Sequence, residues 1–229
     1  MPVSSLRFAA HPPLYFPNVT FWSKAACVET LVLADDLHFS THGDGNRMRI
    51  KTNEGPTWLT VPVLTKGRAG QTFREVRIDN VLSWRTKHWK TLRCHYGRAP
   101  YFEMYSDRVE RIFAQEWKYL VDLNLAAFEL VHRALRLKCQ MQRSTAWGIN
   151  AKGSERIIAL SRHLNRANYL TESANQKFLA AENFSAAGVV VEYVAFEPRP
   201  YHQQYEGFVP GLAVLDLLFN EGEEAGQYL

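Results

Sequence analysis

The chain has few of the features that mark membrane, secreted or metal-bound proteins. No apolar run approaches the roughly 18–20 residues that a membrane-spanning helix needs, and the opening "MPVSSLRFAAHPP" lacks the long apolar centre of a secretory signal. The expected location is therefore the cytoplasm. Cysteine is scarce. Cys27, Cys94 and Cys139 are three, odd in number and far apart, which fits neither a disulfide framework nor a zinc site of CxxC type. There is no GxxxxGK loop and no His-x-x-x-His pair on an expected helix, so the residues name no cofactor and no metal. Charge of one sign is also limited: the net +4 is spread along the chain, with no basic block. That balance fits an anionic small substrate better than nucleic acid.

What is present is enough apolar material for a full core. With 229 residues, 46% of them hydrophobic and 13% aromatic, the chain suits one domain, and no internal repeat or low-complexity linker divides it. "LRFAA" at 6–10 has the length of a buried strand, and Pro12 and Pro13 end it because neither can donate to a ladder. "NVTFWSKAACVE" follows as a short helix capped by Asn18, then the apolar run "TLVLA" at 30–34. Strand, helix, strand in that order favours a parallel pair, and in open α/β sheets ligands sit beyond the carboxyl ends of the strands. His11 and the Asp35–Asp36 pair then share one edge.

Further along, "TWLTVPV" at 57–63 alternates as a strand does, "FREVRID" is a second candidate strand, and "SWRTKHWKTLRCHYG" runs as a helix from Ser83 to Gly97. "SDRVERIFAQEWKYLV" and "NLAAFELVHRALRL" carry apolar residues at helical spacing. The last third alternates again: helix "SERIIALSRHLN", strand "NYLT", helix "QKFLAAENFSAAG", strand "VVVEYVAF", a proline-rich loop and helix "GLAVLDLLFN". The expected fold class is α/β: a mostly parallel sheet flanked by helices, in a single domain over 1–229 with a helical insertion at about 83–140.

The chemistry-bearing candidates follow from this layout. His11, fixed between a strand and two prolines, is placed for general-base work near neutral pH, with the Tyr15 hydroxyl offered to the same pocket. Of Asp35 and Asp36 at most one faces a given pocket, because neighbouring strand residues point to opposite sides. His38 stands just beyond them. In "NRMRIK", Asn46 precedes Arg47, Arg49 and Lys51, which share one face of an extended segment and match the oxygens of a phosphate or carboxylate. Trp84 and His88, four apart on a helix, set an aromatic ring beside a polar group, a pairing that suits a sugar or nucleobase. Tyr201, Gln203 and Gln204 lie in the loop "PYHQQYEGFVPG" after a strand and should contribute specificity. Asp216 and Asn220 share a helix face and are expected to hydrogen-bond the N-terminal loops.

Several of these segments, in order, resemble one family. "HPPLYFPN", "DDLHF", "NRMRIK", "WLTVPV", "APYF", "ERIIAL", "GFVPGLAVLD" and "DLLFN" look like the elements of the WbqC-like proteins over nearly the whole chain. Pro12, Asn18, His38 and Met48 depart from that pattern, and the polar "TESANQKF" stands where the pattern turns on glycine. The resemblance implies a bacterial protein of O-antigen, lipopolysaccharide or other surface-polysaccharide assembly. It further implies a group transferase that moves an aminoacyl unit such as glycine, or an acyl unit, from an activated small-molecule donor to a sugar or nucleotide-sugar. A noncatalytic module for nucleotide-sugars or other anionic ligands is the alternative. The opening strand, "HPPLYFP", helix and strand also resemble the nucleotidylyl-transferase group of HUP folds, a Rossmann-like architecture, without the second histidine of that signature.

Overall fold

Phe8 and Ala9 are fully buried, and the strand that carries them is hydrogen-bonded on both sides. The structure is a computed structural model that describes residues 4–179 and 181–229. This first strand, β1 (Ser4–His11), is followed by helix α1 (Val19–Ala26) and β2 (Thr30–Leu33). Asn18 caps α1 as expected, its Oδ1 accepting the Phe21 N–H at 3.0 Å. β3 (Arg47–Thr52) and β4 (Gly55–Thr60) form an antiparallel hairpin, and α2 (Trp84–Tyr96), α3 (Phe102–Ala114) and α4 (Leu120–Ala134) come next. The chain then runs through β5 (Gln140–Arg143), α5 (Gly153–Leu164), β6 (Arg166–Glu172), α6 (Ala181–Ala186), β7 (Val190–Val194) and α7 (Val214–Glu221).

The chain divides into two compact units, each built from three segments. One comprises residues 1–12, 23–35 and 138–197 and holds a five-stranded sheet in the order β5-β2-β1-β6-β7, with every pairing parallel. Numbered by position along the chain, these strands lie 3-2-1-4-5, the order of a Rossmann-like open sheet. β2 is buried at all four residues, as a strand inside a parallel sheet with both faces covered must be. Phe8, Val32, Ile157, Ile158, Leu160, Tyr169, Phe184 and Val189 form the core of this unit, and Phe8 and Tyr169 meet at 5.2 Å between ring centroids.

The other unit comprises residues 13–22, 36–137 and 198–229. Its aromatic core gathers around Phe113, whose ring stands 6.5 Å from Phe16, 6.4 Å from Trp84, 6.1 Å from His88 and 6.2 Å from Trp89. Phe16 reaches this cluster with φ 45°, a left-handed conformation that costs a non-glycine residue about 1–2 kcal/mol. Burying the side chain recovers about 1.5–3 kcal/mol. Asn124, also fully buried, ties the unit's first segment to the hairpin approach by donating to the Pro13 and Gly45 carbonyls at 2.9 and 2.8 Å.

Three local expectations differ from the structure, and one strand carries no sequence signal. "FREVRID" is a 3₁₀ turn (Phe73–Glu75) followed by isolated bridges of Arg77 to Tyr119 and Val63 to Ile78, because Glu75 turns back to accept from the Thr72 N–H at 2.8 Å. The run through "EWKYLV" is broken after Ala114, where Gln115 is extended, and Leu120 and Val121 open the next helix instead. "QKFLAAENFSAAG" supplies the end of a 3₁₀ turn (Ser173–Phe178) and the six-residue α6, with residue 180 outside the described positions. β5 has no apolar signal, since "QMQR" is polar and short. It is an edge strand, where one exposed side needs no apolar pattern.

Among the described residues no helix is long and apolar enough to cross a membrane. Phe8→Ala is expected to lower unfolding free energy by about 3–5 kcal/mol, because the ring lies at the centre of the sheet's core. Urea denaturation followed by circular dichroism reads this, and a loss below about 1 kcal/mol would show that the sheet core is not closely packed there.

Candidate functional site

In a sheet ordered 3-2-1-4-5 the crossovers diverge between the first and fourth strands, leaving a crevice beyond their carboxyl ends. Here those strands are β1 and β6, and they end at His11 and Glu172. His11 is partly exposed, and its Nδ1 lies 3.0 Å from the Pro12 carbonyl. That contact requires the proton on Nδ1, so Nε2 is the basic nitrogen of the neutral ring. Lys24, from the last turn of α1, is buried and donates to Glu172 Oε1 at 2.8 Å. Glu172 keeps 37% of its side chain exposed, so its carboxylate is open to solvent while the Lys24 ammonium is buried.

Electrostatics separates the two groups further. Burial, then the Lys24 charge, push His11 down to about 4, against the Pro12 carbonyl and Glu172. The ring is neutral at physiological pH, as a base must be. It is nevertheless a weaker base than the near-neutral histidine expected from sequence. Burial alone would raise Glu172, but the hydrogen bond and charge of Lys24, with His11 nearby, outweigh it and hold the carboxyl below its usual value. A neutral imidazole and an ionised carboxylate thus end adjacent parallel strands. Such a pair can accept a proton from a nucleophile and hold a cationic group.

The acidic pair reads differently. Asp35 lies two residues beyond β2, past the same carboxyl edge as His11, but is fully buried, receiving Arg143 Nε at 2.7 Å, Arg143 Nη2 at 2.6 Å and the Thr145 hydroxyl at 3.1 Å. Its oxygens are committed to joining β2 to β5, a structural role. Asp36 is half-buried and belongs to the other unit.

Tyr15 also belongs to the other unit, where it is fully buried and not presented to an open pocket. Its hydroxyl donates to His88 Nδ1 at 3.1 Å, while the opposite ring nitrogen donates to the Thr60 carbonyl. Burial, partly offset by that carbonyl, drives His88 down to about 4, so this histidine is a neutral link between a tyrosine and the hairpin. His38 is exposed and takes part in an isolated bridge with Thr72. Asn46 is buried, donating from Nδ2 to the Val61 carbonyl at 2.8 Å.

Arg47, Arg49 and Lys51 alternate along β3 and share a face, as the spacing requires. Each is met by the protein's own acceptors. Arg47 pairs with Asp44 at 3.2 Å and donates to the His42 carbonyl at 3.0 Å; Arg49 reaches the Pro210 carbonyl at 3.4 Å. Lys51 is buried and donates to the Tyr205 carbonyl at 3.2 Å and to the Gly207 carbonyl. The loop from 198 to 213 therefore packs on the hairpin of its own unit, and its polar residues hold its shape. Gln203 exchanges two hydrogen bonds with the Val209 backbone, at 2.9 and 2.8 Å, and Gln204 donates to Asn220 at 3.0 Å. Tyr201 is buried beside Asp216.

Asp216 is the buried acid of this network. Burial pushes its carboxyl up to about 6, against the hydroxyls of Tyr96 and Tyr201 and the charge of Lys51. The Tyr96 hydroxyl donates to Oδ2 at 2.8 Å and accepts the Lys51 N–H at 2.8 Å, so one phenol couples α2, α7 and β3. The expected contact of this helix face with the N-terminal loop is made instead by backbone, the Val214 N–H donating to the Pro17 carbonyl at 3.1 Å. Among the described residues no group of three or more His, Cys, Asp and Glu side chains could hold a metal ion.

Sequence reasoning missed Lys24, Glu172 and Arg143. Glu172 had a visible signal: it closes an apolar strand and opens the polar segment "TESANQKF". Lys24 and Arg143 had none, because their value comes from residues 148 and 108 positions away.

An open, all-parallel five-stranded sheet in the order 3-2-1-4-5, flanked by helices, defines an α/β protein with a Rossmann-like strand order. The chain belongs to the WbqC-like protein family, whose model matches residues 12–228. A relative from Mycobacterium tuberculosis, described as Uncharacterized protein Rv1507c, is 29% identical over 217 residues that cover 94% of this chain and 94% of that one. No solved structure matches the chain.

Two stability outcomes follow. Tyr15→Phe leaves a buried acceptor on His88 without its donor and is expected to cost about 1–3 kcal/mol, read by urea denaturation. For Asp216 the folded value lies above the unfolded one, so the folded chain keeps a proton that the unfolded chain has lost between pH 3.8 and about 6. Stability from this group is present below pH 3.8 and falls as pH rises to about 6. Relative to Asp216→Asn, the wild type should lose on the order of 3 kcal/mol across that window. Parallel pH profiles of the two proteins would remove the assignment.

Proposed function

We propose that the protein is a group transferase that moves an aminoacyl or acyl unit from an activated donor to a sugar, in the assembly of a bacterial surface polysaccharide such as O-antigen. The observation that carries the reading is the placement of His11 and Glu172 at the carboxyl ends of the neighbouring strands β1 and β6, close enough to act on each other electrostatically. In this reading the acceptor's amine or hydroxyl attacks the donor carbonyl, forming the new C–N or C–O bond. The proton goes to His11 Nε2, and the donor's leaving group departs with the electron pair of the broken acyl bond. Glu172 holds the ammonium of an aminoacyl donor, and Lys24 fixes the carboxylate in place. A base as weak as His11 suits a nucleophile whose proton becomes acidic during attack, as that of an amine does. The reaction is cytoplasmic in this reading.

A noncatalytic binding module is the second reading, and the depressed His11 value favours it, since a ligand contact needs no basic nitrogen. The two separate with the N-acetylcysteamine thioester of glycine as donor and glucosamine as acceptor, following thiol release. His11→Ala is expected to slow transfer by about 10²-fold or more. Glu172→Gln should raise KM for the glycine thioester but not for its N-acetylglycine counterpart, which has no ammonium. The acid limb of kcat/KM should fall near pH 4, with activity lost as His11 protonates. Full activity in His11→Ala, or saturable binding of the thioester with no thiol release, would end the transferase reading.

A further inference from the structure

In the unit that holds the hairpin, a cleft of about 610 Å³ is lined by Trp58, Thr60, Leu82, Ser83, Trp84 and Lys87 among others. That volume lies within the roughly 300–1,000 Å³ typical of small-molecule sites. Trp58 keeps 45% of its surface exposed, an unusual position for an indole on a hairpin packed against its own unit. It is nevertheless held still. The Arg47 guanidinium lies 4.4 Å from the ring centroid, and Arg47 is itself pinned by Asp44 and the His42 carbonyl. Trp84 supplies a second aromatic surface: it is buried, packs edge-on to His88 at 5.3 Å and donates its N–H to Asn80 at 3.4 Å.

Around these rings the lining alternates in character. Leu82 is 56% exposed, while the Thr60 and Ser83 side chains and the Lys87 ammonium stand at the surface. Apolar faces beside hydroxyl and ammonium donors match a pyranose, which presents a C–H face to an indole and its hydroxyl edge to polar groups. No aspartate or glutamate lines the cleft, and the one lysine leaves it a positive charge to be met. We infer that this cleft binds a saccharide whose pyranose ring carries one anionic substituent, a carboxylate or a phosphate, with the ring on Trp58 and the anion at Lys87. The inference rests on the transferase reading only in naming its acceptor; binding here is measured without turnover and stands or falls separately.

The full chain is titrated with methyl glucuronide, glucose 1-phosphate, neutral methyl glucoside and AMP, following indole N–H resonances by NMR. The expected result is saturable binding of one or both anionic sugars, with the Trp58 resonance shifting most. Trp58→Ala should weaken binding by about tenfold or more. Lys87→Met should bring the anionic sugar down to the affinity of the neutral glucoside, leaving the latter unchanged. Preference for methyl glucuronide assigns the anion as a carboxylate, and preference for glucose 1-phosphate as a phosphate. Both variants replace exposed side chains, and unchanged circular dichroism and urea midpoints confirm that they fold. Absence of any sugar-induced shift at millimolar concentrations, AMP binding in preference to both anionic sugars, or Lys87→Met leaving the anionic preference intact would overturn the inference.

Discussion

β1 is hydrogen-bonded along both edges, to β2 on one side and β6 on the other, and the sheet of its unit is organised by that double pairing. Where a strand in this position is covered on both faces its residues must be apolar, which is why Phe8 and Ala9 are inaccessible although Leu6 and Arg7 earlier in the strand are exposed. It must also end cleanly. Pro12 and Pro13 have no N–H to continue a ladder, so the last strand residue, His11, is left at the carboxyl edge with its Nδ1 turned to the Pro12 carbonyl. Proline's missing N–H thus sets where the histidine stands, and the backbone carbonyl of residue 12 sets its tautomer.

The polar groups of the chain are divided by how completely the fold uses them. Asp35 has its oxygens taken by Arg143 and Thr145, and Arg47, Arg49 and Lys51 each donate to acceptors within their own unit. These residues hold strands and loops together. Glu172 is different: its carboxylate is charged, anchored from behind by a buried lysine, and still a third exposed. A group that is fixed but accessible can be used on a ligand at little further entropic cost. The hairpin cleft shows the same combination in another form, with Trp58 clamped by Arg47 and open to the solvent.

Elements with a strong local signal were legible in the sequence. "LRFAA" bounded by prolines, Asn18 before a helix, the alternation in "NRMRIK" and the apolar run "TLVLA" all carry their structure in composition and spacing, and each appears where those signals place it. β5 did not, because an edge strand of polar residues is specified by the neighbour that pairs with it. The break between α3 and α4 is likewise hidden, since Trp117 and Leu120 continue an apolar pattern across a turn held by the Trp117 indole Nε1–H donating to the Ile112 carbonyl at 2.8 Å.

The same division holds for the chemistry. Sequence alone determined His11 at a strand end, the three cations on one strand face and the pairing of Trp84 with His88, because each depends on spacing within a single element. Only the tertiary structure decided that Asp35 is spent on Arg143, that Tyr15 is buried against His88, and that Lys24 and Glu172 complete the group at His11. Those facts rest on partners that are distant in the chain, and on the loss of water that moves His11 to about 4 and Asp216 to about 6. Local spacing carries no record of either, since burial and long-range pairing exist only once the strands have assembled.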